Sequence, residues 1–258
     1  MPMASRFTSR LRPQEREQGF AAAGPGPAHG PGATERAGWP PAVDGAPPTL
    51  DRVDRLFVQV FALVGEAIAG ATHSLLAGDR DTAKELVQRD ELVDALTHQI
   101  AQLCQDRILE GAASAEERRE LLAVLRMLPD LERNGDLAGH IARRAARGLG
   151  LEMSARSRGL VERMGEVATT IWSCTADAFA ERSVSGCHQV DDLDDELDEL
   201  HVTLTAELVA GTMPLPVAIE LAMVARFYER FGDHAVNLAR RMAALVTGGP
   251  EPGSSGPD

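Results

Sequence analysis

Apolar residues recur at helical spacing from about residue 50 to about residue 246, with Ala, Leu, Glu and Arg dominant and β-branched runs short. The pattern breaks at Gly78-Asp79, Gly111 to Ser114, Gly148 to Gly150, Ser183 to Gly186, and Gly211 to Pro216. Each break is a cluster of Gly, Ser or Pro between periodic segments. The periodicity predicts six helices, near 50–77, 79–110, 115–148, 152–183, 187–211 and 215–246. Asp79 and Ser114 stand where a helix needs a side chain to accept from its first free N–H groups, and Pro216 suits a first turn. Long helices with short connections pack as antiparallel neighbours. The predicted fold class is all-α: two pseudo-repeated three-helix bundles built from six long antiparallel helices.

A repeated phrase supports the two-fold division. Residues 132–144 read ERNGDLAGHIARR and residues 229–241 read ERFGDHAVNLARR, 97 residues apart and identical at eight of thirteen positions. Internal repetition at a fixed spacing is the mark of a duplicated unit. A second pair lies on the preceding helices, RDELVDALTHQI (89–100) and VDDLDDELDELHVTL (190–204). Matching Asp90 to Asp191 also matches Leu92 to Leu193, Asp94 to Asp195, and Leu96 to Leu197. The predicted organisation is a disordered extension over 1–49, repeats over 50–149 and 150–247, and a disordered tail over 248–258. The ends are Gly- and Pro-rich with too little apolar material to offset their ordering entropy.

Charge and cysteine usage narrow the function classes. A net charge of −13 repels phosphate backbones, which argues against nucleic-acid binding. No secretory signal is visible, and no stretch is read as reaching the roughly 18 apolar residues of a membrane span. Three cysteines without CxxC spacing point to a reducing, cytoplasmic setting. No Gly-rich phosphate loop, GxSxG or Cys-His pair appears, so the expectation is a non-enzymatic protein.

Carboxylates four apart on a helix share a face. Glu132 with Asp136, Glu229 with Asp233, Asp90 with Asp94, and Asp191 with Asp195 each project together on that spacing. Hard oxygen donors suit hard cations such as Mg or Mn, and carboxylates from facing helices are a known way to hold iron or manganese in a bundle. The Glu-x-x-His of di-iron bundles is absent from both repeats. The plainer reading is a solvated acidic face, since residues 191–200 hold seven acids. Gly135 and Gly232 are read as sites of close helix approach, Arg133 and Arg230 as structural, and His140 and His234 as surface or hydrogen-bonded groups. Met127, Phe227, Tyr228 and Phe231 are read as core or interface.

The repeated phrase resembles the PhoU family of phosphate-signalling regulators, whose motif is approximately Glu-Arg-Ile-Gly-Asp-x-Ala-x-Asn-Ile. The copy from Glu229 to Leu238 is the nearer match; in the copy from Glu132 to Ile141, Asn134 replaces an apolar residue and His140 replaces Asn. The resemblance spans roughly residues 50–246. It implies two three-helix bundles, a cytoplasmic protein that is commonly a homodimer, and negative control of phosphate uptake and of the starvation response. The implied partners are the ATPase of the phosphate ABC transporter and a sensor histidine kinase. Some members bind multinuclear iron or other divalent metal through the motif carboxylates. Carried over, that ligand set is Glu132, Asp136, Glu229 and Asp233, faced by Asp90, Asp94, Asp191 and Asp195. Two other readings stand beside it: a carboxylate-bridged metalloenzyme, and a metal-free helical adaptor.

Overall fold

The structure, a computed structural model, describes residues 48–247 apart from Thr212, without the side chains of Pro48 and Asp90. The stretches read as disordered, 1–49 and 248–258, lie outside the described residues except for Pro48 and Thr49, which open the first helix. The elements are α1 (Pro48–Ala77), α2 (Arg80–Gln88), α3 (Asp90–Leu109), α4 (Ala115–Ala146), a 3₁₀ turn (Leu149–Glu152), α5 (Ala155–Glu181), α6 (Val184–Ala210) and α7 (Leu215–Thr247). The all-α expectation holds, with one difference. The predicted helix over 79–110 is two, α2 and α3, which meet at Arg89. There the Arg89 N–H bonds back to the Leu86 carbonyl three residues earlier, closing a tighter turn.

Side chains set the boundaries. Asp79 caps α2 through the N–H groups of Asp81 and Thr82. Ser114 opens α4 with a reciprocal capping box: its hydroxyl accepts from the Glu117 N–H, and the Glu117 carboxylate accepts from the Ser114 N–H. Glu117 is itself buried and bonded by Arg107 at 2.6 Å, so the cap also ties α3 to α4. At the centre of the chain Gly148 ends α4 with φ +91, a left-handed conformation that side chains resist. Two residues on, a Cβ at Gly150 would lie 1.7 Å from the Leu75 carbonyl oxygen. Arg158 then donates to the carbonyls of Leu76 and Gly150, fastening the joint between the halves.

The apolar stripe of α1 runs through the inside of the described helices. Val53, Phe57, Val60, Val64, Ile68, Ala71 and Leu75 are all fully buried, at spacings of three and four. This corrects one expectation. Within Thr49–Ala77 an 18-residue window has a mean hydropathy of 1.5, enough on length and composition to cross a membrane. In the fold that stripe is core.

The two repeats share this core. Equivalent helices pack on each other across the duplication, α1 against α5 and α4 against α7, while α6 lies against α5 and α7. Phe57 stacks on Phe179 with centroids 4.7 Å apart. Trp172 lies between Phe61 at 5.0 Å and Phe231 at 5.2 Å, and its indole N–H donates to the Phe61 carbonyl. Thr72 and Tyr228 share a buried hydroxyl hydrogen bond of 2.7 Å between α1 and α7. The cysteines are free thiols, and burial pushes Cys104 up to about 12 and Cys187 up to about 11.

Candidate functional site

The second copy of the repeated phrase occupies the middle of α7, whose apolar face carries Val224, Phe227, Tyr228, Phe231, Ala235 and Leu238 into the core. Gly232 lies on that inner side and faces α6. A Cβ at Gly232 would lie 2.2 Å from Asp194 Oδ1 and 2.9 Å from Leu197 Cδ2, so the glycine is what lets the two helices come together. α6 meets this face with Val190, Leu193, Leu197, Leu200 and Leu204, all buried or half-buried. Asp194 sits beside that stripe and is drawn half under α7.

The result is a corner of close carboxylates with little to neutralise them. Burial pushes the Asp194 carboxyl up to about 7, helped by the negative charges of Asp198, Asp233, Asp195 and Glu229. Glu229 is raised too, first by burial and then by Asp233, against the opposing charges of Arg226 and His201. Arg226 donates to Glu229 Oε1, but Glu229 Oε2 and Asp194 Oδ1 are buried without a hydrogen-bond partner. A buried oxygen lone pair with no donor costs free energy. A hard cation is a natural partner for a buried carboxylate oxygen of this kind, so the donors fit one by chemical type. Among the described residues, no three His, Cys, Asp or Glu side chains converge on one point as placed.

The eight acids singled out by sequence fall in different settings. Glu229 and Asp233 belong to this corner. Asp195 is exposed but close enough to act on Asp194, and Asp191 points instead to Arg240, which it accepts at 3.0 Å. In the first half Glu132, Asp136 and Asp94 are exposed, and the side chain of Asp90 lies outside the described residues. The register that matches Asp90 to Asp191 matches Val93 to Asp194 and Thr97 to Asp198. Val93 and Thr97 are buried, each with 4% exposure. Where the second half draws Asp194 inward the first has the apolar Val93, and the exposed Asp198 is matched by the buried hydroxyl of Thr97. Val93 and Gly135 there line a small recess with Leu63, Ala67 and Leu86.

Asp194 was missed, with its exposed neighbour Asp198, because seven acids in ten residues hide which of them turns inward. The usable signal was the α6 stripe itself, since Asp194 adjoins Leu193 and Leu197. A second missed feature is polar and central. Asn134 of α4 is fully buried and donates from Nδ2 to the Phe231 carbonyl at 3.2 Å. Its Oδ1 lies 3.0 Å from His234 Nδ1, which must then carry the proton. Burial lowers the His234 pKa and so favours the neutral ring. Asn134 of the first phrase and His234 of the second thus join the halves. Beside them Asp130, 3% exposed, accepts from Arg241 and, at 3.4 Å, from Arg133. His140 lies edge-on to Phe227 at 5.1 Å and bonds Arg143.

Comparison with known proteins agrees with the duplication. The PhoU domain matches twice, over residues 57–145 and 161–242. The phosphate-specific transport system accessory protein PhoU homolog 1 of Mycobacterium bovis is 30% identical over 193 residues, covering 74% of this chain and 87% of the relative. The corresponding homolog of Rhizobium meliloti is 29% identical over 205 residues, 77% of this chain and 86% of its own. Among solved structures, PhoU from Pseudomonas aeruginosa superposes with a TM-score of 0.72 at 27% identity, covering 78% of this chain and 98% of that one. The phosphate transport system regulatory protein PhoU from Streptococcus pneumoniae shares the fold, with a TM-score of 0.69 at 20% identity over 77% of this chain and 95% of that one. With both halves matched and the fold shared, the chain belongs to the PhoU family.

Proposed function

We propose that the chain is a non-enzymatic, cytoplasmic regulator of phosphate homeostasis that restrains high-affinity phosphate uptake and the starvation response. It would act by docking on the ATPase of a phosphate transporter and on a sensor histidine kinase, as a homodimer. The observation that carries this reading is the double match to the PhoU domain, supported by relatives named as accessory proteins of a phosphate-specific transport system. An exposed apolar row on α7, Leu215, Ile219 and Met223, offers surface for docking.

The carboxylate corner gives such a regulator something to sense. Asp194, Asp198, Glu229 and Asp233 would hold a divalent or multinuclear ion of iron, manganese or magnesium. The two orphaned buried oxygens and the raised Asp194 carboxyl support this. The bound ion would supply positive charge at the α6–α7 seam. The protein's own part is to crowd the acids, through the Gly232 approach, so that a cation changes the packing of that seam. A metal-free adaptor is the second reading, favoured by the lack of three converged ligands among the described residues.

Deleting the gene and measuring phosphate uptake tests the regulatory role. Raised uptake with derepressed starvation genes is expected; unchanged uptake and expression would remove it. Elemental analysis of purified protein tests the ion. Iron or manganese present in the native chain and lost in Glu229→Ala with Asp233→Ala supports the corner, while metal-free native protein favours the adaptor.

A further inference from the structure

Next to the acid corner lies an open cleft of about 560 Å³ that draws its walls from α4, α6 and α7. Its lining is strongly polar. Arg133 enters from α4, and Arg230, Arg240 and Arg241 from α7, with the Asn237 amide between them. On a chain of net charge −13, four guanidinium groups around one opening need an explanation.

Their internal partners do not exhaust them. A guanidinium carries five N–H donors. Asp130 accepts from Arg241 and weakly from Arg133, and Asp191 accepts one bond from Arg240. Arg230 makes no ion pair among the described residues. Arg133 and Arg240 remain 60% and 57% exposed. Asp130 is buried, so it anchors two of the arginines from behind without filling the opening. The remaining donors face the open cleft and its solvent, where an anion can replace water on them.

The lining also restricts what that acceptor is. It contains Val236 as its one apolar side chain and no Phe, Tyr or Trp ring, so it offers no platform for a base or an acyl chain. Asp194 of α6 and Asp233, which shares the α7 face with the arginines, also line the cleft and repel negative charge, so an anion held there has to engage several guanidinium groups at once. A compact, multiply charged oxyanion suits convergent guanidinium forks, which bind such groups through paired N–H···O bonds.

We propose that Arg133, Arg230, Arg240 and Arg241 form a binding site for inorganic phosphate as a free dianion. The choice of phosphate among oxyanions rests on the regulatory reading above; the anion site itself rests on the cleft. The site would let the protein register phosphate directly, beside the corner that holds the cation.

Isothermal titration of the full chain with inorganic phosphate tests this, with sulfate at matched ionic strength as the comparison anion. Saturable binding in the millimolar range or tighter is expected, weakened about tenfold by Arg230→Gln with Arg240→Gln. Arg163→Gln, on α5 outside the cleft and paired with Glu196, should leave the affinity unchanged. Circular dichroism checks that each variant folds; if the double variant does not, Arg230→Gln alone serves, since that side chain has no ion-pair partner to orphan. No saturable binding by the folded native chain, or equal affinity in the variants, overturns the site. Equal affinity for sulfate overturns the assignment to phosphate. Raised uptake in the deletion strain without phosphate binding keeps the regulator and loses the site; phosphate binding with unchanged uptake does the reverse.

Discussion

With its carboxyl half under Gly232 and four other acids around it, Asp194 keeps its proton to about pH 7. An unfolded aspartate loses its proton near pH 4. Between those values the folded chain binds more protons than the unfolded one, so stability falls as pH rises from about 4 to about 7. Asp194→Asn should flatten that slope and raise stability at pH 8 by about 1 kcal/mol, allowing for solvent screening of a half-exposed group. Urea unfolding at pH 5 and pH 8 measures it; an unaltered slope would mean the carboxyl titrates normally. Gly150 makes a contrasting case, because its obstacle is backbone. Gly150→Ala drives a methyl group into the Leu75 carbonyl and should cost about 3 kcal/mol, read as a lowered Tm. The sequence marked Gly150 as a break and Gly232 as a close approach, both from composition alone. It could not mark Asp194, because the acids around it on α6 give the same signal whether they face water or α7.

At the scale of elements, helix boundaries were legible wherever a side chain makes them. Asp79 and Ser114 cap as their positions suggest. Ser114→Ala should cost about 1 kcal/mol, and Glu117→Ala more, because it also strips Arg107 of its buried partner. Thermal melts of the two variants rank them; equal losses would mean the Arg107 bridge adds nothing. The break at Arg89 was not legible. No Gly or Pro lies between Asp79 and Leu109, and the interruption is one tightened turn that packing against α1 and α4 imposes. Apolar α1 illustrates the same limit from the other side. Its composition alone does not distinguish a bilayer from the inside of a bundle, and only the neighbours supplied by α4 and α5 decide it.

For the whole molecule, the duplication was plain in the sequence, but the way the copies combine was not. Two three-helix units were expected, and the sequence did not indicate that they would share a core around Trp172, Phe231, Phe57 and Phe179. A fragment ending at residue 149 should therefore lack a cooperative thermal transition, because α1 and α4 lose the faces that α5 and α7 cover. Circular dichroism of that fragment reads the outcome, and a sharp melt would show the first unit to be self-sufficient. The acidic site was only half legible for a related reason. Repetition at matched positions suggested two equal corners, whereas Val93 and Thr97 make the first one apolar and hydroxylic where the second is acidic.

The hydroxyl bond from Thr72 to Tyr228 joins residues 156 positions apart, and Asn134 reaches across 97 to Phe231. During synthesis the first helix emerges from the ribosome long before its partner is translated. Until α7 leaves the exit tunnel, the faces of α4, α5 and α6 that it covers stay bare. The nascent chain is thus exposed to chaperones and to aggregation for nearly the whole of its manufacture, and stop codons even shortly before residue 228 should yield protein that the cell degrades.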